Sequence, residues 1–202
     1  MTMANNHAVD YGVEGLRDTL DAAASAPVSV VGIGADDDAA FAPAVVDIRG
    51  TTIAVIGATD VPDRTAATWA AGPGGAGVAW ARDPERLLRS VCDAVDVTDV
   101  VGAHAHVLLG AGWLGRTYVS YGLGNFVWYS PNSTAEATSG VLTLTVHDGA
   151  VAADSWTPTF TEQDGLPRVL TGSNGDRAVA SWRALRDCTE LAGSLDAAEA
   201  MS

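Results

Sequence analysis

The stretch Asp99–Tyr129, DVVGAHAHVLLGAGWLGRTYVSYGLGNFVWY, holds two of the four histidines of this sequence. His104 and His106 are two residues apart and follow the apolar pair Val100-Val101. Because alternate residues of an extended chain point to the same side, the two imidazoles can converge on one point. Converging neutral imidazoles are typical ligands of zinc, iron or manganese, so the spacing favours a ligand pair. The alternative is two polar side chains that are satisfied by backbone groups in a loop.

A second polar cluster, ANNHAVDYG at residues 4–12, contains His7. Asn6 and His7 stand shortly before a predicted helix, and asparagine is a good N-cap residue. The residues alone therefore favour a helix cap, with a role in a metal site as the alternative. Asp60 follows a predicted strand, and we interpret it as a turn residue or as an additional carboxylate near a metal.

Composition excludes several classes of partner. The 202 residues are 48% apolar, which is enough for a domain with a hydrophobic core. The net charge of −14 argues against nucleic acid or an anionic membrane surface as a partner. Every basic residue is arginine. Cys92 and Cys188 are too few and too far apart in sequence to indicate a disulfide framework.

The sequence shows no membrane segment, because no apolar run is long enough to span a bilayer. Its first residues lack the basic start and the apolar stretch of a signal peptide. As written, the chain is predicted to be cytoplasmic. If an upstream segment precedes it, an association with the cell envelope is expected instead.

The pattern of apolar residues predicts both helices and strands. The predicted helices are Gly12–Ala24, a segment from Asp83-Pro84 to about Val95, and Asp176–Leu191, with an acidic turn or short helix at Asp36–Phe41. The predicted strands are Val28–Ile33, Val45–Ile48, Thr52–Ile56, Val100-Val101, Tyr118–Tyr121, Val141–Val146 and Val151–Trp156. Short turns, Arg49-Gly50-Thr51 and His147-Asp148-Gly149, indicate two hairpins. The alternation indicates an α/β or α+β sheet domain with helices on its outer faces.

Three motifs, in order along the chain, resemble one known family. Met3-Ala4-Asn5-Asn6-His7 with Asp10-Tyr11-Gly12 is similar to LANNH-x-x-DYG, and Gly102 to Val107 is similar to G-x-H-x-HV. Ser120 to Phe126 is similar, more loosely, to YSLGNF. These motifs resemble those of the CapA capsule-synthesis family, also called the poly-γ-glutamate synthesis domain, which has a calcineurin-like metallophosphoesterase fold.

The resemblance implies an α-β-β-α sandwich of four layers that is incomplete in this chain. Residues 1–170 would form the metallophosphoesterase-type domain and residues 171–202 a C-terminal helical tail. The family opens with a strand and a Gly-Asp motif, and it carries a His-Trp-Gly-Glu segment before the histidine loop. In this sequence no strand with a Gly-Asp motif stands before Asn6, and no His-Trp-Gly-Glu segment stands before the histidine loop, so we expect a site with about half of its usual ligands.

The resemblance also implies roles for individual residues. The metal ligands would be Asn6, His104 and His106, and His7 would be the acid that protonates the leaving group or steadies phosphate charge. Asn125 and Asp10 would orient these groups from behind, and Asp60 is a possible additional ligand. The cofactor would be a divalent metal, manganese, iron or zinc, which is lost or reduced to a single ion here.

The implied function is that of a metal-dependent hydrolase of the phosphoesterase type, or of a factor in polymer handling, with impaired activity. The substrate would be a small molecule or a polymer, either a phosphoester or a compound related to polyglutamate. Two alternatives stay open. The chain could be a non-catalytic binding module that keeps the scaffold, or it could be the product of a gene fragment.

Overall fold

A computed structural model describes residues 1–61, 68–82, 84–94, 97–101, 105–129 and 131–201. Contacts divide the chain into two units, Met1–His104 and Ala105–Ser202, and each unit contains both helices and strands. The α/β class predicted from the sequence is therefore confirmed. In the ranges that the structure describes, no helix combines the length and the apolar character needed to cross a membrane.

The strands described in the first unit are β1 (Ile33–Gly34), β2 (Ala44–Ile48), β3 (Thr51–Gly57), β4 (Gly77–Val78) and β5 (Val97–Val101). One sheet has the order β2-β3-β5, in which β3 pairs antiparallel with β2 and parallel with β5. A second, smaller sheet pairs β1 antiparallel with β4. The predicted hairpin of β2 and β3 is confirmed, and so is a strand at Val100-Val101.

The turn between β2 and β3 explains why this hairpin is predictable. Arg49 and Gly50 both have positive φ, 55° and 83°. A two-residue turn of this kind matches the right-handed twist of the strands that it joins. The carboxylate of Asp47 accepts a hydrogen bond from the Gly50 N–H at 3.0 Å, which fixes the turn from one side.

The helices described in the first unit are α1 (Gly12–Ala24), α2 (Asp37–Ala40) and α3 (Pro84–Cys92). The bounds of α1 are those predicted, and its apolar face buries Leu16 completely against Val9, Ile33 and Val78. Asp36 caps α2, since its carboxylate accepts the Ala39 N–H at 2.8 Å. The ends predicted for α3, Asp83 and Val95, lie outside the described residues.

The predicted buried strand Val28–Ile33 is mostly wrong. Only Ile33 belongs to a strand, and Val28 is 55% exposed. Val31 forms a single parallel bridge with Thr2, with backbone bonds to Met1 and Met3. A β-branched run forms a strand only where a neighbouring strand pairs with it over several residues. Here the pairing between Val31 and the start of the chain is limited to this one bridge.

The strands described in the second unit are β6 (Ala111–Leu114), β7 (Thr117–Ser120), β8 (Thr138–His147), β9 (Ala150–Thr161) and β10 (Pro167–Val169). β6 and β7 form one hairpin, and β8, β9 and β10 form an antiparallel meander. The predicted pairing of Val141–Val146 with Val151–Trp156 is confirmed. Asp148 and Gly149 have positive φ, 49° and 72°, so this hairpin turns as the first one does.

The helices described in the second unit are α4 (Thr134–Ala137), α5 (Gly172–Ala184) and α6 (Leu195–Met201), with a 3-10 turn at Leu185–Cys188. The helix predicted at Asp176–Leu191 therefore begins and ends earlier. Trp182 on α5 stacks on Trp156 of β9, with ring centroids 5.0 Å apart and planes inclined by 11°. This pair is the centre of a core that packs α5 onto the meander.

Candidate functional site

His106 and Asn125 are joined in the second unit by two hydrogen bonds. The ring Nδ1 of His106 lies 2.7 Å from Oδ1 of Asn125, and Nδ2 of Asn125 donates to the backbone carbonyl of His106 at 3.1 Å. The same Nδ2 donates to the carbonyl of Glu136 at 3.0 Å. Because both amide hydrogens meet carbonyl oxygens, the amide oxygen is the atom that faces the ring.

This arrangement selects one tautomer of His106. Since Oδ1 of Asn125 only accepts, Nδ1 of the ring must carry a proton and donate it. The neutral ring then has its lone pair on Nε2, the atom that would ligate a metal ion. Histidine ligands in proteins are usually oriented in this way, by an acceptor behind the other ring nitrogen. Asn125 therefore has the geometry of a residue that orients a ligand.

Asn125 is held by the segments around it. Gly122 and Leu123 pair with the segment 108–109 that follows His106, through a backbone hydrogen bond from Leu109 and a bridge from Leu108. The hydroxyl of Ser139 donates to the carbonyl of Leu123 at 3.0 Å. Gly124, with φ of 71°, turns the chain so that the next side chain reaches back to His106. The Gly-Leu-Gly run thus serves a backbone turn.

The acceptor on Glu136 is positioned by the start of α4. Ser133 caps this short helix, and its Oγ accepts the Glu136 N–H at 3.2 Å. The Glu136 carboxylate turns back to accept the Asn132 N–H at 2.9 Å. These bonds fix the backbone at Glu136, and so they fix the carbonyl that receives the Asn125 amide.

An aromatic side chain completes this cluster. The ring of Trp128 lies 5.0 Å from the imidazole of His106, inclined by 52°, and Tyr129 lies 5.5 Å beyond it. The backbone N–H of Trp128 donates to Gly165, which has φ of 78°. In the sequence, the aromatic residues that follow Asn125 are the feature that indicates these ring contacts.

The N-terminal motif of the first unit is held by its own neighbours. Nδ1 of His7 lies 3.0 Å from the carboxylate of Asp10, and Nδ2 of Asn6 lies 3.4 Å from Nε2 of His7. The backbone N–H of His7 donates to the side chain of Asn5 at 2.8 Å. Tyr11 is the N-cap of α1, and no side chain caps that helix. The interpretation of Asn6 as a helix cap is therefore wrong.

The remaining candidates that the structure describes have only local contacts. Asp60 is exposed, and its carboxylate lies 4.0 Å from the guanidinium of Arg82. His147 contacts Asp148 in the hairpin turn of the second unit, as expected of a turn residue. His104 lies outside the described residues. Within the ranges that the structure describes, no three histidine, cysteine, aspartate or glutamate side chains are grouped to hold a metal ion.

One polar cluster in the second unit was not predicted. The hydroxyl of Tyr118 donates to the carboxylate of Asp154 at 2.7 Å, and Arg186 lies 3.8 Å from the same carboxylate. Burial, and then the bond to Asp154, raise the pKa of the Tyr118 phenol far above its usual range. Nε of Arg186 also donates to the carbonyl of Ala111 at 2.6 Å. The cluster links β6, β7, β9 and the 3-10 turn, and no spacing in the sequence reveals it.

Comparisons with known proteins agree with the motifs. Residues 1–87 match the family described as bacterial capsule synthesis protein PGA_cap. The chain is 35% identical over 107 residues to PGA biosynthesis protein CapA of Bacillus subtilis, which covers 52% of this chain and 27% of that protein. It is 25% identical over 209 residues to capsule biosynthesis protein CapA of Bacillus anthracis, which covers 86% of this chain and 50% of that protein.

Two further matches are a mycobacterial protein and a solved structure. A probable polyglutamine synthesis accessory protein of Mycobacterium tuberculosis is 38% identical over 98 residues, which is 46% of this chain and 24% of that protein. The solved structure of Haemophilus influenzae NAD nucleotidase aligns with 95% of this chain and 52% of its own, at 15% identity and a TM-score of 0.42. The chain thus spans half or less of the curated relatives. By its motifs, its match over residues 1–87 and these relatives, the chain is similar to the CapA family of bacterial capsule synthesis proteins.

Proposed function

We propose that this chain takes part in the biosynthesis of poly-γ-glutamate or of a related polymer of the cell envelope. Similarity to these relatives supports this proposal, since they are named for PGA biosynthesis, capsule biosynthesis and polyglutamine synthesis. The substrate would be the polymer or a precursor of it. The chain spans half or less of the length of those proteins. That it shares the activity of a whole relative is therefore proposed together with this role.

A cellular experiment tests this role. The gene for the chain is deleted in the bacterium that encodes it, and γ-linked glutamate is measured in the envelope fraction after digestion with a γ-glutamyl hydrolase. We expect the deletion to lower the amount of polymer and a plasmid copy to restore it. An unchanged amount of γ-linked glutamate would contradict the proposed role.

We further infer that the histidine loop retains a site for one divalent ion, manganese, iron or zinc. Two observations support this inference: the H-x-H spacing of His104 and His106, and the hydrogen bond that Asn125 accepts from the His106 ring. A two-metal hydrolase needs a bridging carboxylate and enough ligands to hold both ions. The histidine loop offers His104 and His106 and no carboxylate, so the charge of a second ion would be uncompensated. The catalytic role of His7 stays a prediction.

Metal stoichiometry tests the inference directly. The purified chain is dialysed against manganese or zinc, and bound metal is measured by elemental analysis. We expect less than two equivalents of metal per chain and hydrolysis of generic phosphodiesters barely above background. Two tightly bound ions, with turnover that is lost in His106→Ala, would show that ligands come from elsewhere, and Asp60 would be the first to examine.

A second candidate function is a binding module without turnover. The observation that favours it is a cavity of about 440 Å³ in the first unit, with arginine side chains in its wall. A cavity of this size is in the range of small-ligand sites. If the chain binds a ligand in this cavity while phosphodiester turnover stays at the background rate, a binding module is favoured over an impaired hydrolase.

A further inference from the structure

The arginine cavity of the first unit is defined by residues of α2, α3 and the segment around Trp80. Its volume is about 440 Å³, and its wall includes Asp37, Phe41, Trp80, Arg82, Arg86 and Arg89. The chain has 11 basic residues against 25 acidic ones, and three of the 11 line this one cavity. In a chain with a net charge of −14, this is a local concentration of positive charge.

Arg86 connects the two helices that border the cavity. Its Nε donates to the carboxylate of Asp37 at 2.6 Å, and its other nitrogens donate to Asp38 at 3.0 Å and to Ser90 at 2.8 Å. Its guanidinium also lies 4.8 Å from the centre of the Phe41 ring. These contacts tie α3 to α2 and use the donors of Arg86, so this residue is a structural support.

Arg82 and Arg89 are the cations that a ligand can use. Arg89 lies on the same face of α3 as Arg86, three residues on. Arg89 has no carboxylate within ion-pair distance among the residues that the structure describes. Arg82 has one ion-pair contact, to exposed Asp60, at the long distance of 4.0 Å. Both side chains are largely exposed, so the desolvation cost of binding an anion between them is small.

The other side of the cavity is apolar. Phe41 is buried, and Trp80 is half-buried. A guanidinium fork matches a carboxylate or a phosphate, and an apolar wall matches methylene groups. A γ-linked glutamyl unit carries both, since its free carboxylate is attached to Cα and two methylene groups follow in the polymer backbone.

We propose that the arginine cavity binds the carboxylates of a γ-linked glutamyl chain, through Arg82 and Arg89. This proposal rests on the proposed function for its choice of polymer. Because the chain as a whole is acidic, it would repel a polyanion elsewhere, and the cavity would hold the polymer at one place. Binding is therefore expected to weaken as the salt concentration rises.

Titration calorimetry with the full chain tests the proposal. The probes are a short γ-linked glutamate oligomer, an α-linked glutamate oligomer of equal length, and inorganic phosphate. The cavity variant is the double substitution Arg82→Gln with Arg89→Gln. The matched control is Arg177→Gln, which removes an exposed arginine from α5 in the other unit. Circular dichroism checks that each variant is folded.

We expect the γ-linked oligomer to bind the parent chain and the control alike, and to bind the cavity variant about ten-fold or more weakly. Three results would overturn the proposal: no binding of the oligomer to the parent chain, equal binding to the cavity variant, or binding of phosphate alone. Stronger binding of the α-linked oligomer would also overturn it, because the polymer would then be the wrong one.

The calorimetric result and the polymer measurement in cells are independent. If deletion of the gene lowers the polymer while the oligomer binds the cavity variant normally, the cavity proposal fails and the proposed function stands. If deletion of the gene leaves the amount of polymer unchanged while binding of the oligomer depends on Arg82 and Arg89, the proposed function fails and the carboxylate site stands.

Discussion

The two histidine motifs of this chain are held in different ways. His7 is bonded to Asn5 and Asp10, which are within three residues of it, and its side chain is 72% exposed. His106 is bonded to Asn125, which lies 19 residues away and is bonded in turn to Glu136. A ring that is held by distant segments keeps its orientation only if those segments stay folded. Substitutions around His106 should therefore have the larger effects.

The largest effect is expected for His106→Ala. The substitution removes the imidazole itself, so the affinity of the chain for zinc or manganese should fall by more than about 100-fold. The measurement is titration calorimetry of the apo chain with either metal. His147→Ala is the matched control, since that ring is exposed in a hairpin turn, and it should leave the affinity unchanged. Equal affinities for the two variants would rule out the histidine loop as the site.

Asn125→Ala should have the next largest effect. Without the amide, the His106 ring loses its orienting acceptor and the Glu136 carbonyl loses a donor. We expect metal affinity to fall by about 10- to 100-fold and the free energy of unfolding by about 1–3 kcal/mol. Urea denaturation measures the second quantity.

Asn132→Ala is the control for Asn125→Ala, because Asn132 is an exposed asparagine that contacts the Glu136 carboxylate instead of its carbonyl. It should change both quantities little. If Asn132→Ala were as damaging as Asn125→Ala, the effect would belong to α4 as a whole and the orienting role of Asn125 would be lost.

Gly124→Ala tests the backbone that delivers Asn125. A Cβ at this position would lie 3.1 Å from the carbonyl oxygen of Thr138, and φ is 71°. We expect a loss of about 1–2 kcal/mol in the free energy of unfolding from the left-handed conformation, plus a smaller loss from the contact. Gly115→Ala, with φ of 56° and open space around it, carries the conformational cost alone. A loss no greater than that of Gly115→Ala would show that the contact with Thr138 relaxes freely.

The smallest effect is expected for Asp10→Asn. Asp10 and His7 are both largely exposed and bonded locally, so the free energy of unfolding should change by less than about 0.5 kcal/mol. Thermal denaturation of the parent chain and the variant measures this change. A loss of stability as large as that of Asn125→Ala would remove the contrast between the two motifs.

Much of the fold could be predicted because its signals are local. The bounds of α1 follow from apolar spacing, and the β2–β3 and β8–β9 hairpins follow from glycine turns. The segment Val28–Ile33 could not be predicted in the same way. Its state depends on a bridge to Thr2, and no property of the segment itself indicates how far that pairing extends.

The candidate site likewise has one part that the sequence could predict and another that it could not. The H-x-H spacing and the motif around Asn125 are visible in the sequence, so the His106 cluster could be anticipated. The arginine cavity and the cluster of Tyr118, Asp154 and Arg186 could not be. Each is assembled from segments far apart along the chain, and only folding brings their side chains together.

The hydrogen bond that Asn125 accepts from His106 makes the His106 ring suitable for observation by NMR. A protonated Nδ1 and an unprotonated Nε2 have well-separated nitrogen-15 chemical shifts, so a ring locked in one tautomer gives two distinct resonances instead of an exchange average. Isotope labelling of the histidines, with the His106→Ala variant to assign the resonances, would therefore let the His106 ring be followed through a metal titration.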